Sequence, residues 1–265
     1  MTGGDHANEP GRIYAIGDVH GRFDLFRALM RTIERDHAAR APTVTRIVLL
    51  GDIVDRGPDS ARLVRGCMRL SQLNSRFTVL RGNHEEMMVH ALRGDLWAYR
   101  AWLDFGGRET LLSWGASPAL TDDMPGIREL RAAAQLVGRD VIDWLARLPL
   151  TLRHEDHLFV HAGVRPGVAL ERQVPRDLLW IGEEFLDSDE DHGATVVHGH
   201  TIVEHGPEVR GNRVGLDTGA YRTGRLTAMG LERGERWFLQ ATGAAAPVAV
   251  ERGEAAEHRQ TVAAW

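Results

Sequence analysis

Three short polar motifs in the first third of the chain each follow an apolar, β-branched run, and they constrain the fold more than any other feature. The runs cover residues 13–16, 46–50 and 77–80, and the motifs after them are Gly17-Asp18-Val19-His20-Gly21, Gly51-Asp52-Ile53-Val54-Asp55-Arg56-Gly57 and Gly82-Asn83-His84-Glu85. Apolar residues at helical spacing follow each of the first two motifs. With the three apolar runs as strands, this order predicts a βαβαβ unit. Ligands of open α/β sheets gather at the carboxyl ends of the strands, so we expect the three motifs to meet at one rim.

Two histidine motifs in the second half of the chain extend this pattern. They also follow apolar runs, and they read His161-Ala162-Gly163 and Gly199-His200-Thr201. Together with the earlier motifs they offer carboxylate, imidazole and amide oxygen, which is a ligand set for a pair of divalent metals.

The spacing of the first two motifs suits two metal ions. Asp18 and His20 stand two residues apart beyond a strand, so in extended backbone both side chains point the same way and can bind one metal together. Asp52 is the natural bridging ligand, because one carboxylate can give each oxygen to a different metal. The sequence therefore predicts a dinuclear centre.

The composition and apolar pattern of the chain divide it into a domain with two terminal extensions. Residues 1–11 are predicted to be a flexible arm, 12–240 the domain, and 241–265 a flexible tail. Within the domain, 85–147 has a mostly helical pattern and is predicted to be an insert beside the site. The later part is predicted to contain one helix over 177–185 and short strands at 158–160, 195–197, 214–217, 226–231 and 236–240.

Composition narrows the class of protein. A chain of 265 residues with 43% hydrophobic content can bury one large α/β core. A net charge of −5 with mixed signs argues against a nucleic-acid binder that acts through a basic surface. Cys67 is the one cysteine and is predicted to lie in the core, which suits a reducing compartment. Since no run reaches the ~20 apolar residues that cross a bilayer, we predict a cytoplasmic protein with neither nucleic acid nor membrane as partner; its oligomeric state stays open.

The five motifs, in this order, resemble the signature of the calcineurin-like metallophosphoesterase superfamily, and the Asp55-Arg56 pair resembles its phosphoprotein phosphatase branch. The resemblance covers roughly residues 12–240. The stretch from Trp102 to Gly115 is similar to bacterial protein phosphatases and to symmetrical diadenosine polyphosphate hydrolases. The resemblance implies an α/β fold in which a β-sandwich of two sheets is flanked by helices.

The resemblance also implies roles for individual residues. Asn83, His161 and His200 complete the second metal site, with manganese as the expected metal and iron, zinc, nickel or cobalt as alternatives. His84 protonates the leaving oxygen, Asp55 orients it, and Arg56 binds phosphate. A second phosphate-binding arginine comes from the region after the His161 motif. Arg165 is favoured slightly over Arg176, and Arg172 stays open.

The remaining candidates have simpler interpretations. His198 and Asp217 are predicted to be structural, and a set of histidines without motif context is predicted to lie on the surface: His90, His154, His157, His192 and His205.

The resemblance implies a dinuclear metal-dependent phosphatase in which metal-bound hydroxide attacks phosphorus directly. Phosphoserine or phosphothreonine in proteins or peptides is the expected substrate, with phosphotyrosine and small phosphoesters as further options. One alternative is a symmetrical dinucleoside polyphosphate hydrolase, in which Trp97, Trp102 and Trp114 of the insert would stack on bases. An alternative of another class is a non-catalytic metal-binding interaction module, which the complete set of motif residues disfavours.

Overall fold

The computed structural model describes residues 11–121 and 124–244. Apart from Gly11 and residues 241–244, the predicted arm and tail lie outside the described residues. The last strand ends at Thr242, so the sheet continues past the domain end predicted at 240.

The described strands form two five-stranded sheets. In chain order they are β1 (Arg12–Ile16), β2 (Thr45–Leu49), β3 (Phe77–Val79), β4 (Thr151–His154), β5 (His157–Val160), β6 (Thr195–His198), β7 (Glu208–Val209), β8 (Arg213–Gly215), β9 (Arg225–Glu232) and β10 (Glu235–Thr242). The first sheet has the order β10-β9-β1-β2-β3 and the second β4-β5-β6-β8-β7. β1, β2 and β3 run parallel to one another, β9 is antiparallel to β1, and β10 is antiparallel to β9.

The two sheets pack face to face, and the alternation along β1 shows why. Ile13 and Ala15 point into an apolar layer between the sheets, whereas Tyr14 and Ile16 point towards the helices. The layer between the sheets is completed by Val48, Leu50, Leu80, Phe159, Val197, Val214, Leu216, Met229 and Leu231. The predicted fold class, a two-sheet sandwich flanked by helices, is confirmed.

Helices cover both outer faces of the sandwich. The described α-helices are α1 (Phe23–Ala39), α2 (Ser60–Leu73), α3 (Asn83–Leu92), α4 (Leu96–Trp102), α5 (Arg108–Ser113), α6 (Ile127–Val137), α7 (Arg139–Ala146), α8 (Pro175–Trp180), α9 (Glu183–Leu186) and α10 (Ala220–Thr223). The first seven share one apolar cluster with the outer face of the first sheet, and a π-helical segment at Leu103–Gly107 joins α4 to α5. None of the described helices is long and apolar enough to cross a membrane.

The single helix predicted over 177–185 is wrong. Two short helices, α8 and α9, lie there instead, because Ile181 has the extended backbone angles φ −62° and ψ 139° and Gly182 follows with φ −122° and ψ −116°. Ile181 is buried with Leu178 and Phe185 against the outer face of the second sheet. The extended backbone at Ile181 therefore ends α8 and allows this side chain to be buried.

The prediction that His157 lies on the surface is also wrong. His157 is the first residue of β5 and is 3% exposed, and its ring stacks near Phe159 with 6.5 Å between centroids. Burial lowers the pKa of His157 below the usual value. His90 and His205 are exposed as predicted, and Cys67 is buried in the core.

Candidate metal centre

Parallel pairing of β1 and β2 brings the first two motif loops side by side. The backbone N–H groups of Val19 and His20 both donate to Asp52 O, at 3.1 and 2.8 Å, and Gly21 N–H donates to Ile53 O at 3.0 Å. The third motif begins α3 beside them, and its His84 N–H donates to Asp52 Oδ1 at 3.1 Å. The three motifs therefore meet at one rim of the sheet.

The motif loops hold backbone conformations that side chains rarely adopt. Seven non-glycine residues of the described chain have positive φ, and five of them belong to the motifs: His20, Asp52, Asp55, Arg56 and His200. Each such residue costs about 1–3 kcal/mol and persists only where its surroundings enforce it. Five of these seven strained residues therefore lie in the motifs, which points to the rim as the candidate site.

Asp52 lies at the middle of the rim, with its Oδ2 facing three imidazoles. The distances from Oδ2 are 3.5 Å to Nε2 of His161, 3.6 Å to Nε2 of His20 and 3.9 Å to Nε2 of His84. Two groups that could hold a metal share this carboxylate: one adds His20 and His84, the other His161 and His200. Asp52 therefore lies where it could contribute to both groups.

The hydrogen bonds of His161 leave a cluster of acceptors that suits a cation. Its Nδ1 lies 3.0 Å from Leu50 O, an atom that only accepts, so Nδ1 carries a proton. Burial lowers the pKa of His161 well below its usual value, which favours the neutral ring with no proton on Nε2. Nε2 nevertheless lies 2.8 Å from Asn83 Oδ1 and 3.5 Å from Asp52 Oδ2. A positive ion between these acceptors resolves their mutual repulsion, and the backbone bond at Nδ1 is the usual way to aim a histidine at a metal.

Asp18 gives the same indication as His161. It is 1% exposed, its Oδ2 accepts the His200 N–H at 3.0 Å, and its Oδ1 has no hydrogen-bond partner. Burial, together with Asp217 and Asp52, raises the pKa of Asp18 well above its usual value. A buried carboxylate oxygen without a partner is costly, so the residues present fit metal ions at this rim. A Cβ on Gly199 would overlap Asp18 Oδ1, which explains glycine there.

His84 and Asp55 form a buried pair beside the Asp52 cluster. His84 Nδ1 lies 2.7 Å from Asp55 Oδ2, and both residues are at most 2% exposed. Burial and the nearby Arg56 guanidinium lower the pKa of His84 well below its usual value. The Arg56 guanidinium stacks 4.8 Å from the Tyr221 ring centroid, and its Nη1 lies 3.3 Å from His20 Nε2. All of the predicted metal ligands and His84, Asp55 and Arg56 are thus brought together.

Arg165 is held by carboxylates outside this cluster. Its Nε and Nη2 donate to both oxygens of Asp177 at 2.7 Å each, and its Nη1 donates to Glu184 at 2.6 Å. Contact with a phosphate would require exchange of these partners. Arg172 and Arg176 are exposed.

The tryptophans of the insert occupy different environments. Trp102 is fully buried and Trp114 is 7% exposed, so both belong to the core of the insert. Trp97, in contrast, is 79% exposed at the start of α4.

Glu85 has a role that the sequence reasoning missed. Its carboxylate accepts four backbone N–H groups, those of Gly82 and Asp52 at 2.8 Å, Ile53 at 2.8 Å and Val54 at 3.2 Å. The available signal was a glutamate three residues after Gly82, where a carboxylate can accept the backbone N–H at the start of a helix. Glu85 therefore fixes the second motif loop to the third.

We expect Glu85→Gln to lower the free energy of unfolding by about 2–4 kcal/mol, because an amide NH₂ replaces an acceptor oxygen and leaves buried N–H groups unpaired. Urea unfolding of chelator-treated protein measures this without a contribution from metal binding. Glu86→Gln is the matched control, since Glu86 is half-buried and accepts only the Trp180 Nε1–H among its described bonds. Equal midpoints for the two variants would contradict the assigned role.

The chain is similar in sequence to known phosphoesterases. The sequence model of the calcineurin-like phosphoesterases matches residues 11–226. Serine/threonine-protein phosphatase 1 of Salmonella typhimurium is 30% identical over 223 residues, which cover 81% of this chain and 89% of that protein. A symmetrical bis(5'-nucleosyl)-tetraphosphatase of Janthinobacterium sp. is 34% identical over 168 residues, which cover 61% of this chain but 49% of that protein, so the chain spans about half of its length.

Solved structures show the same fold. A candidate diadenosine tetraphosphatase superposes with a TM-score of 0.60 at 22% identity, covering 88% of this chain and 95% of that one. A serine/threonine phosphatase of Saccharomyces cerevisiae superposes with a TM-score of 0.55 at 18% identity, covering 89% and 81%. The sequence match over residues 11–226 goes further than a shared fold: this chain belongs to the calcineurin-like phosphoesterase family.

Proposed function

We propose that this chain is a metal-dependent phosphatase that hydrolyses phosphomonoesters, with phosphoserine and phosphothreonine in proteins or peptides as favoured substrates. The observation that carries the proposal is that Asp52 belongs to two groups of imidazoles, one of which contains His84, whose Nδ1 is bound by Asp55. Family membership supports phosphoester hydrolysis as the reaction class.

Two divalent ions, manganese by expectation, would be held by residues on either side of Asp52. Asp18 and His20 would bind one ion, and Asn83, His161 and His200 the other, with Asp52 shared between them. When bound, the ions supply positive charge against the phosphate oxygens and lower the pKa of water.

The chain's own residues would bind the phosphate and handle the proton. Arg56 offers a planar guanidinium to two phosphate oxygens, and stacking on Tyr221 fixes its plane. Asp55 fixes the His84 proton on Nδ1 and turns Nε2 towards the Asp52 cluster. A phosphate dianion beside Nε2 opposes the effect of burial on the His84 pKa, so substrate binding itself favours the protonated form that can donate to the leaving oxygen.

The relatives include both a protein phosphatase and symmetrical tetraphosphatases, and the insert supports our preference for phosphomonoesters. The Salmonella phosphatase is matched over 89% of its length, whereas the Janthinobacterium tetraphosphatase is matched over 49%. Of the three tryptophans that could stack on a base, Trp102 and Trp114 are buried. Trp97 keeps the exposure that such a contact requires.

We expect kcat/KM for a phosphothreonine peptide to exceed that for diadenosine tetraphosphate under the same metal and salt. A preference of roughly a hundredfold for the dinucleotide would overturn this ranking. Trp97→Ala would then lower dinucleotide turnover and leave the peptide unaffected, since stacking on a base contributes roughly 1–3 kcal/mol. Inactivity on every phosphoester with both metals bound would support a non-catalytic module instead.

A further inference from the structure

The Asp55 carboxylate is bound by two side chains of the helical insert as well as by His84. Trp102 Nε1 lies 3.0 Å from Oδ1 and 2.9 Å from Oδ2, and Thr110 Oγ1 donates to Oδ1 at 2.6 Å. Asp55, Trp102 and Thr110 are all fully buried. Because no water competes at such depth, these donors set the orientation of the carboxylate.

Thr110 also fixes the backbone of the same residue. Its Oγ1 accepts the Asp55 N–H at 2.8 Å while donating to Asp55 Oδ1, so one hydroxyl holds both the main chain and the side chain. Asp55 has a φ of 71°, a conformation that needs outside support.

The next residue of the motif loop is held by the insert as well. Arg56 N–H donates to Gly106 O at 3.2 Å, within the π-helical segment between α4 and α5. Gly106 has a φ of 104°, and a Cβ there would overlap Arg56. The insert therefore braces the part of the second motif that carries both Asp55 and Arg56.

Orientation of Asp55 decides the orientation of His84. Thr110 holds Oδ1 and the Trp102 N–H is shared by both oxygens, so Oδ2 faces His84 Nδ1 at 2.7 Å. A carboxylate only accepts, so Nδ1 carries the proton and Nε2 points to Asp52, 3.9 Å away. Loss of the Thr110 hydroxyl removes the shortest bond to Oδ1, and the carboxylate can then turn and release the imidazole from its fixed direction.

We propose that Thr110 and Trp102 are positioning residues that act through Asp55 to aim His84 at the leaving oxygen. The inference rests on the proposed phosphatase function. In this role the insert assists proton transfer to the leaving group without contacting the base or peptide of the substrate.

The test compares p-nitrophenyl phosphate, which needs little protonation of its leaving group, with phenyl phosphate, which needs more. Thr110→Val and Trp102→Phe preserve the approximate shape of each side chain and remove its hydrogen-bond donor. We expect kcat to fall about 10- to 100-fold on phenyl phosphate and less than about threefold on p-nitrophenyl phosphate. The larger loss is part of the rate enhancement that a positioned general acid contributes. Thr110→Ser should restore the wild-type ratio. Ser113→Ala is the matched control, because that hydroxyl lies on the same helix and bonds Thr110 O and Ala61 N–H rather than Asp55.

Equal losses on both substrates in Thr110→Val and Trp102→Phe, at unchanged melting temperature and metal content, would overturn the proposal. A second readout does not depend on turnover: the low-field Nδ1–H proton resonance of His84 in zinc-loaded protein, assigned by its loss in His84→Asn. We expect this resonance to shift or vanish in Thr110→Val and to persist in Ser113→Ala; persistence in both would overturn the proposal. A wild-type enzyme with bound metal and no phosphatase activity would refute the proposed function, whereas a wild-type ratio in both insert variants would refute only the positioning role.

Discussion

Asp52→Asn is expected to remove bound metal and to lower phosphatase activity by roughly three to four orders of magnitude, since metal ions contribute several kcal/mol of transition-state stabilisation. Asp52 is shared by both groups of candidate ligands, so a single change affects both positions. The amide removes one anionic oxygen and places an NH₂ group against imidazole nitrogens.

Elemental analysis and turnover of p-nitrophenyl phosphate measure the two effects on the same sample. In the wild-type protein, chelation should abolish activity and manganese should restore it. Asp104→Asn is the control, because Asp104 is an exposed carboxylate paired with Arg108 at 3.1 Å. Full activity after chelation, with no more metal than the buffer contains, would exclude a metal-dependent reaction.

The sequence predicts the first sheet well because two patterns agree there: the alternation of side chains along its strands and the helical spacing of apolar residues that follows them. Along β1, alternation of residues between the helix layer and the layer between the sheets follows directly from side-chain order. Each of β1 and β2 is followed by a helix with one apolar face. A helix that packs this face on the sheet connects parallel strands, whose carboxyl ends then lie at a common rim. The approach of the three motif loops could therefore be inferred from short-range pattern alone.

The second sheet is less predictable because its strands are short and depend on neighbours. β4 and β7 are absent from the sequence prediction: Thr151–His154 is only half-buried, and Glu208–Val209 contains two residues. His157 is buried because β5 lies between β4 and β6, a position that no local pattern reveals. The sandwich of two sheets is implied by the family resemblance and not by the local sequence pattern.

Within the site, the sequence identifies residues that lie in motifs and misses those that support them from afar. Trp102 and Thr110 stand 47 and 55 residues from Asp55, so only the packing of the insert brings them to it. The phosphate-binding role expected of Arg165 rests on nearness along the chain alone, and it stays a prediction. Arg165 stands close to His161 in the chain, but Asp177 and Glu184 hold its guanidinium.

His84→Asn is expected to retain both metals and yet lose about 10²–10⁴ in kcat on substrates with poor leaving groups, the usual contribution of a positioned general acid. The imidazole lies between Asp55 Oδ2 at 2.7 Å and Asp52 Oδ2 at 3.9 Å, so its Nε2 faces the metal cluster while Nδ1 is held. Asparagine cannot carry a proton to a leaving alkoxide. Nitrophenolate departs without one, so the loss should be much smaller for p-nitrophenyl phosphate.

The leaving-group dependence separates acid catalysis from simple damage to the site. His90→Asn is the control, since His90 lies exposed near the end of the same helix α3. A variant that had lost a metal would be slow on every substrate and would show the loss by elemental analysis. If His84→Asn keeps both metals but slows alkyl and nitrophenyl phosphates equally, His84 binds phosphate in the transition state without donating the proton, and the acid must be sought elsewhere at the rim.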